Sequence, residues 1–330
     1  MKNISYLFSG LLSTLFTVLY AKNTDLTTAT FSNYIITYNK EYTDDDIMNR
    51  YSVYKNNLKI IEDHNNQDLS WKMGINQFTD LTPTEFKKLT YCQHRNTPNN
   101  IPRITMEFNN VFRKTPDSLD WTDKGAVTPI KDQGQCGSCW SFSTTGSVEG
   151  AYFLSKGKLL SFSEQQLVDC SSDYGNQGCN GGLMDNAFKY IHDNGICLEN
   201  DYPYTATDGS CNTCDPFTKI DSFVDITPNN EDALLKAVNI QPISVAIEAD
   251  QSSFQFYSSG VLTSKCGKNL DHGVLLVGYG TLNGTDYWKV KNSWGESWGD
   301  NGYILLKRNV KDTAGQCGIT LMASYPIITE

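Results

Sequence analysis

Gln133-Gly134-Gln135-Cys136-Gly137-Ser138-Cys139-Trp140 is the stretch from which the rest of this sequence can be ordered. Cys139 opens an apolar-periodic segment that runs to Leu154, and the spacing predicts a helix beginning at that cysteine. There the sulfur faces oriented N–H groups that stabilise a thiolate. The position suggests a nucleophile.

A thiol of pKa about 8.5 is only partly ionised near neutrality, so a cysteine nucleophile needs an imidazole beside it. The chain has four histidines. His64 and His94 precede the expected cleavage zone, and His192 reads as a solvent-facing last-turn residue before Asn194-Gly195. His272 opens a strand-like run, between Asp271 and Gly273. Asn292-Ser293-Trp294-Gly295 follows Tyr287-Trp288-Lys289-Val290-Lys291, and a carboxamide oxygen at Asn292 can accept an imidazole N–H and fix the ring. Trp294 would shield that bond from water.

With 330 residues, 39% hydrophobic content and 10 prolines, the chain reads as folded, with one or two domains. Residues 1–21 have the pattern of a secretory signal: Met1-Lys2, an apolar run too short for a membrane span, and Leu19-Tyr20-Ala21 as the cleavage site. Secretion implies an oxidising compartment in which cysteines pair. Residues 1–116 carry net charge +2 and residues 117–330 net −12. That acidity excludes a general nucleic-acid surface, since no basic field neutralises phosphates. It is compatible with an acidic vesicle and with ordinary solubility.

The pattern predicts helices over Phe31 to Tyr38, about Asp45 to Asn66, and from Thr82-Pro83-Thr84-Glu85, with Trp71 to Phe78 extended. Residues 91–116 are polar and contain Pro98, Pro102 and Pro116, a linker open to proteolysis. Beyond it, helices are expected at Cys139 to Leu154, Ser163 to Cys170, Leu183 to Asp193 and Glu231 to Asn239, with Ser161 and Glu164 spaced for a capping box. After about residue 240 the period changes to that of strands, beginning at Ile243, His272, Tyr287 and Tyr303. A helical half therefore precedes a sheet half, the pattern of an α+β protein with two lobes and a cleft.

With these residues assembled, the chain resembles the papain-like cysteine proteases, in the style of the cathepsin L-like endopeptidases. Cys136-Gly137-Ser138-Cys139-Trp140 matches their signature, and His272 and Asn292 lie 133 and 153 residues downstream of Cys139. The resemblance implies a helical left lobe and a β-barrel-like right lobe with the site between them. It implies Cys139 as nucleophile, His272 as its base, Asn292 as the orienting amide and Gln133 as an oxyanion donor beside the Cys139 N–H. Asp120-Trp121, Gly178 to Gly182, Asp201-Tyr202-Pro203-Tyr204 and Tyr325-Pro326 resemble framework pieces of the mature enzyme.

The proregion also fits the resemblance. Arg50, Val53, Asn57, Ile61 and Asn65 match the inhibitory helix, with Asp46 for the usual Glu and Tyr54 for the usual Phe; Gly74, Asn76, Phe78 and Asp80 match a second motif. The implied organisation is a signal at 1–21, an inhibitory propeptide at 22–116 that covers the cleft in reverse direction, and a mature peptidase at 117–330. Partners implied are extended polypeptides, the chain's own propeptide and cystatin-like inhibitors, with a monomeric enzyme, no cofactor or metal, and no membrane association after signal cleavage. The destination is a lysosome-like acidic vacuole or the exterior.

The resemblance places Leu183, Met184, Ala246, Gly273 and Met322 around the pocket for the side chain two residues before the cut, favouring aliphatic residues. Trp294 would flank the leaving-group side. Gly181-Gly182 reads as a site of backbone access for an extended peptide, or as a turn requirement. Similarity pairs Cys136 with Cys179, Cys170 with Cys211 and Cys266 with Cys317, and leaves Cys139 free. Cys197 and Cys214 are candidates for a fourth bridge, and Cys92 would leave with the proregion. A zinc or redox reading of Cys136-x2-Cys139 and Cys211-x2-Cys214 leaves His272 and Asn292 unexplained. Asn283-Gly284-Thr285 is a glycosylation sequon in a Gly-rich hairpin. No insertion with paired histidines is present to grip a substrate C-terminus, which favours an endopeptidase.

Overall fold

Helices α1 (Leu26–Thr37), α2 (Ile47–Asn65) and α3 (Pro83–Thr90) and strand β1 (Trp71–Met73) form the first segment of the computed structural model, which describes residues 26–90 and 115–329. The anticipated signal, Cys92, His94 and the body of the linker lie outside the described residues. Along α2, Tyr54, Asn57, Ile61 and His64 are buried at spacings of three and four, as an amphipathic helix requires. Phe31, Tyr34 and Tyr54 form a small core of their own.

Asp46 stands before α2 without capping it; its carboxylate instead takes Arg50 Nε at 2.9 Å, and the Arg50 Nη2 reaches Glu85 at 2.9 Å. A capping box opens α3: Thr82 N and Oγ1 each donate to Glu85 Oε2 at 2.8 Å, and Glu85 N returns a bond to Thr82 Oγ1 at 3.3 Å. The extended reading of Trp71 to Phe78 holds only for β1. Beyond it Asn76 Oδ1 accepts the backbone N–H of Phe78 at 2.9 Å, and this local bond turns the chain out of the strand.

The helical lobe contains α4 (Cys139–Lys156), α5 (Glu164–Cys170) and α6 (Met184–Asn194) around Trp140, Val148, Phe162, Leu167, Phe188 and Ile191. Helix α4 ends on Gly157 at φ 70°, the left-handed conformation that glycine adopts without a Cβ penalty. The cap of α5 is Ser163, not the expected Ser161: its Oγ accepts Gln166 N–H at 2.9 Å, and the Gln166 Oε1 accepts Cys197 N–H at 2.7 Å.

Nine strands form the sheet, with β2 (Leu119–Asp120), β3 (Ser222–Asp225), β4 (Ile243–Ile247), β5 (Tyr257–Leu262), β6 (His272–Leu282), β7 (Thr285–Lys291), β8 (Tyr303–Lys307) and β9 (Ala323–Ile327) following β1. Their order is β1-β5-β8-β7-β6-β4-β9-β3, with β2 paired to β6 off that path. Because β1 and β3 end the path without pairing to each other, the sheet is not a closed barrel, and with the helical lobe it makes the expected α+β, two-lobed fold. Two further helices, α7 (Glu231–Val238) and α8 (Ser252–Gln255), belong to this half, so the helical and sheet halves are not strictly successive. Asn230 caps α7 through Ala233 N–H at 2.9 Å.

Strand β4 is buried at all five positions, because it lies inside the sheet between β6 and β9 and α4 packs over it. Small residues on α4 permit the approach. Ser143 Oγ donates to Val274 O on β6 at 2.7 Å, and a Cβ at Gly146 would meet Leu275 Cδ2 at 2.8 Å. This packing brings the first turn of α4 against the first residues of β6. Among the described residues, no helix is long and apolar enough to cross a membrane.

Candidate active site

Cys139 is the first residue of α4 and His272 the first of β6, both fully buried. The N–H of Gly273 donates to Cys139 Sγ at 3.2 Å, which fixes the sulfur against the start of the histidine strand. Across the ring, His272 Nε2 lies 2.8 Å from Asn292 Oδ1. The same oxygen accepts Ser293 N–H at 2.8 Å, so two contacts orient the carboxamide. An amide oxygen only accepts, and Nε2 therefore carries the proton, leaving Nδ1 as the ring's other nitrogen.

The Trp294 ring stacks on His272 at 4.6 Å between centroids, and Phe254 and Trp298 meet Trp294 edge-on at 5.6 and 5.0 Å. These aromatics remove water from the imidazole–amide bond and strengthen it. Neither Phe254 nor Trp298 was legible as part of the site, because each reads as an ordinary core residue in its own local pattern.

Gln133 is 1% exposed, and its carboxamide is held at both ends: Ser293 Oγ donates to Oε1 at 2.7 Å, and Nε2 donates to Cys136 O at 2.9 Å. Its backbone N–H donates to Ser293 O at 2.8 Å. The loop before α4 is thereby tied to the residue that follows Asn292. Ser293 went unnoticed in the sequence because a lone serine carries no chemical signature.

Behind the site lies a charged cluster that the sequence did not announce. Lys131 Nζ contacts Glu149 at 2.8 Å and Glu164 at 2.6 Å, while Lys291 Nζ donates to Thr128 O at 2.8 Å. Burial pulls Lys291 down to about 8 against the pull of Glu149. For Glu149 the burial penalty is overcome by Lys131 and Lys291, and its carboxyl is lowered. Burial, with repulsion from Glu164, raises Glu199 to about 7.

Of the pocket residues, Met184, Ala246, Gly273 and Met322 are brought together. Ala246 pairs with Gly273 in the sheet and donates its N–H to Met322 O at 2.9 Å, and Met184 Sδ lies 3.3 Å from where a Gly273 Cβ would stand. Half-buried Leu183 precedes α6 and donates its N–H to Asn176 Oδ1 at 2.8 Å. Gly181 has φ 108°, and a Cβ at Gly182 would lie 2.7 Å from the Trp140 ring, so both glycines answer a backbone requirement. His192 is exposed and pairs with Asp193 at 2.7 Å. His64 is buried with Nε2 3.2 Å from Trp71 O.

The bonded cysteine pairs are Cys136–Cys179, Cys170–Cys211, Cys197–Cys214 and Cys266–Cys317. Cysteines two residues apart are thus not bonded to one another. Asn283 is exposed at the tip between β6 and β7, with φ 50°.

The first segment docks on the sheet lobe. Strand β1 extends the sheet antiparallel to β5, Asn76 Nδ2 donates to Gln255 O at 2.7 Å, and Gln77 Nε2 donates to Trp294 O at 2.5 Å. Phe78 and Phe86 set their rings against Trp294 at 5.4 and 5.5 Å. The segment's own frame converges on Asp80, whose carboxylate takes Tyr34 at 2.6 Å, Tyr42 at 2.8 Å and Lys40 at 2.9 Å.

Residues 115–327 match the papain family cysteine protease profile, and residues 31–86 match the cathepsin propeptide inhibitor domain. Thiol protease SEN102 of Hemerocallis sp. is 50% identical over 291 residues, which cover 85% of this chain and 81% of that protein. The recombinant stem bromelain precursor is 38% identical with TM-score 0.86, covering 93% of this chain and 100% of its own. Digestive procathepsin L 3 of Tenebrio molitor larval midgut is 39% identical with TM-score 0.83, covering 92% and 100%. This chain belongs to the papain family of cysteine proteases and carries that family's propeptide inhibitor domain ahead of its peptidase domain.

Proposed function

We propose that the protein is an endopeptidase made as a zymogen, with Cys139 as nucleophile and His272 as its acid and base. The observation that carries this reading is the join at one point of Gly273 N–H to Cys139 Sγ at 3.2 Å and His272 Nε2 to Asn292 Oδ1 at 2.8 Å. Cys139 attacks the scissile carbonyl as a thiolate paired with the His272 imidazolium. The resulting oxyanion is held by the Gln133 side chain and the Cys139 N–H at the start of α4. His272 gives its proton to the departing amine, and water activated by the same ring then cleaves the thioester.

Met184, Ala246, Gly273 and Met322 offer an apolar pocket, and peptides with Leu or Val two residues before the cut are the preferred substrates. Gly181-Gly182 would present backbone to an extended peptide, with Leu183 beside it and Trp294 on the leaving-group side. The propeptide occupies 22–116 and the mature enzyme 117–330. Four disulfides fit a chain that folds in the secretory route, with a signal at 1–21 and a glycan on exposed Asn283. A monomer destined for an acidic vacuole or the exterior, open to cystatin-like inhibitors once the propeptide leaves, completes the reading.

The test is a peptidyl epoxide applied to reduced protein before and after acid processing, with the label mapped by mass, alongside digestion of end-blocked internal peptides. Label on Cys139 and internal cleavage are expected. Correctly matured, folded protein that neither labels nor cleaves would make this a protease-like binding protein instead.

A further inference from the structure

The hydroxyl of Tyr204 joins the two backbone segments that carry the oxyanion donors. It donates to Gln133 O at 2.8 Å and lies 2.5 Å from Ser138 Oγ. A phenol has one proton, and the carbonyl, which can only accept, takes it; Ser138 Oγ is therefore the donor to Tyr204 Oη. Burial keeps the phenol well above its usual range, so the proton stays in place at any working pH.

Ser138 is the residue before α4, and serine there ordinarily caps the helix by accepting an N–H of the first turn. Here the side chain makes no such bond. Its hydroxyl is turned toward Tyr204, which leaves the N–H groups of Cys139 and Trp140 for other acceptors, while that of Ser141 bonds to Ser138 O at 2.8 Å. Ser138 is fully buried and Gln133 is 1% exposed, so neither has solvent as a competing partner. The Tyr204 ring is fixed edge-on against Phe142 of α4 at 4.8 Å, and its backbone N–H donates to Glu199 Oε1 at 2.8 Å.

We propose that Tyr204 is a positioning residue for the oxyanion hole, setting the Gln133 carboxamide against the Cys139 N–H through the chain Ser138 Oγ–H, Tyr204 Oη–H, Gln133 C=O. The inference rests on the assignment of Gln133 and the Cys139 N–H as the oxyanion donors. Tyr204 touches no reacting atom, and its effect is on donors that act in the tetrahedral state, so kcat is altered and substrate binding is not.

The experiment compares matured, reduced wild-type enzyme with Tyr204→Phe, which keeps the ring. Three quantities are read: kcat and KM on a fluorogenic peptide, the inhibition constant of a peptide aldehyde whose adduct fills the oxyanion hole, and the rate of alkylation by iodoacetamide. Iodoacetamide needs the thiolate and no oxyanion donor. The expected result is a loss of about tenfold in kcat and in aldehyde affinity, smaller than the loss of about 10²-fold or more on removing a donor outright. KM and the alkylation rate stay within about twofold. Unchanged kcat and aldehyde affinity, or an alkylation rate that falls in parallel, would overturn the proposal. Ser138→Ala approaches the same bond from its other end and is expected to weaken the aldehyde in the same direction; no change there counts against the proposal even if Tyr204→Phe does not fold. Gln133→Ala tests the underlying assignment separately: if it leaves aldehyde affinity intact, the oxyanion hole is misplaced, whereas its loss with no effect of Tyr204→Phe refutes the role of Tyr204 alone.

Discussion

His272 Nε2 and Asn292 Oδ1 lie 2.8 Å apart beneath the stacked ring of Trp294, and Ser293 N–H holds the same oxygen from the other side. The bond fixes which ring nitrogen is protonated and which faces the nucleophile's side of the ring. Losing a buried hydrogen bond of this kind costs about 1–3 kcal/mol. Asn292→Ala is expected to lower kcat/KM by about tenfold to a hundredfold. Steady-state kinetics on a Leu-containing peptide check this, and an unchanged value would remove Asn292 from the mechanism.

Phe78 packs edge-on against Trp294 and tilted against Phe86, at 5.4 Å in each case, and it is buried where the first segment meets the sheet lobe. Deleting a ring from such a core costs about 3–5 kcal/mol. Reduced precursor carrying Phe78→Ala is expected to take the active-site label at neutral pH at least about tenfold faster than wild type. Stopped labelling at fixed times measures the ratio.

Asp271, next to His272, gives a pH dependence of definite sign. Burial raises its carboxyl to about 7; Ala249 N–H opposes this, Asp250 and Glu248 add to it, and Lys87 of the first segment opposes it. A raised folded value means that the native state keeps a proton which the unfolded chain releases. Its contribution is therefore fully present below about 3.8 and lost as pH rises toward about 7. Asp271→Asn is expected to flatten the stability profile over that interval, with denaturant midpoints at several pH values as the measurement. Since Lys87 meets Asp250 at 2.5 Å only while the first segment is attached, the slope is expected to persist to higher pH in the matured enzyme.

Local pattern was enough for much of the fold. The run from Cys139, the helix start with its early proline at Thr82-Pro83-Thr84-Glu85 and the strands at Ile243, His272, Tyr287 and Tyr303 all rest on interactions within a few residues, and these dominate wherever one face is buried. Errors arose where a side chain had two partners to choose from. Ser163 rather than Ser161 caps α5, and Asn76 ends β1 early, and each side chain that makes the local bond also holds a residue distant in the chain: Ser163 Oγ donates to Tyr202 O at 2.6 Å and Asn76 Nδ2 to Gln255 O at 2.7 Å. That the sheet does not close was beyond the sequence: strand patterns define faces and leave unsaid which edges meet.

By itself, then, the sequence determined the class of the protein; Cys139, His272 and Asn292 stood out by residue type and spacing, and Gln133 through the family resemblance alone. Only the tertiary structure decided that Ser293 holds Gln133 at 2.7 Å, that Phe254 and Trp298 enclose Trp294, and that Tyr204 spans Ser138 and Gln133. Serine, tyrosine and core aromatics are ordinary in any local pattern. What they do here follows from packing α4 against β6, which brings together groups more than a hundred residues apart in the chain.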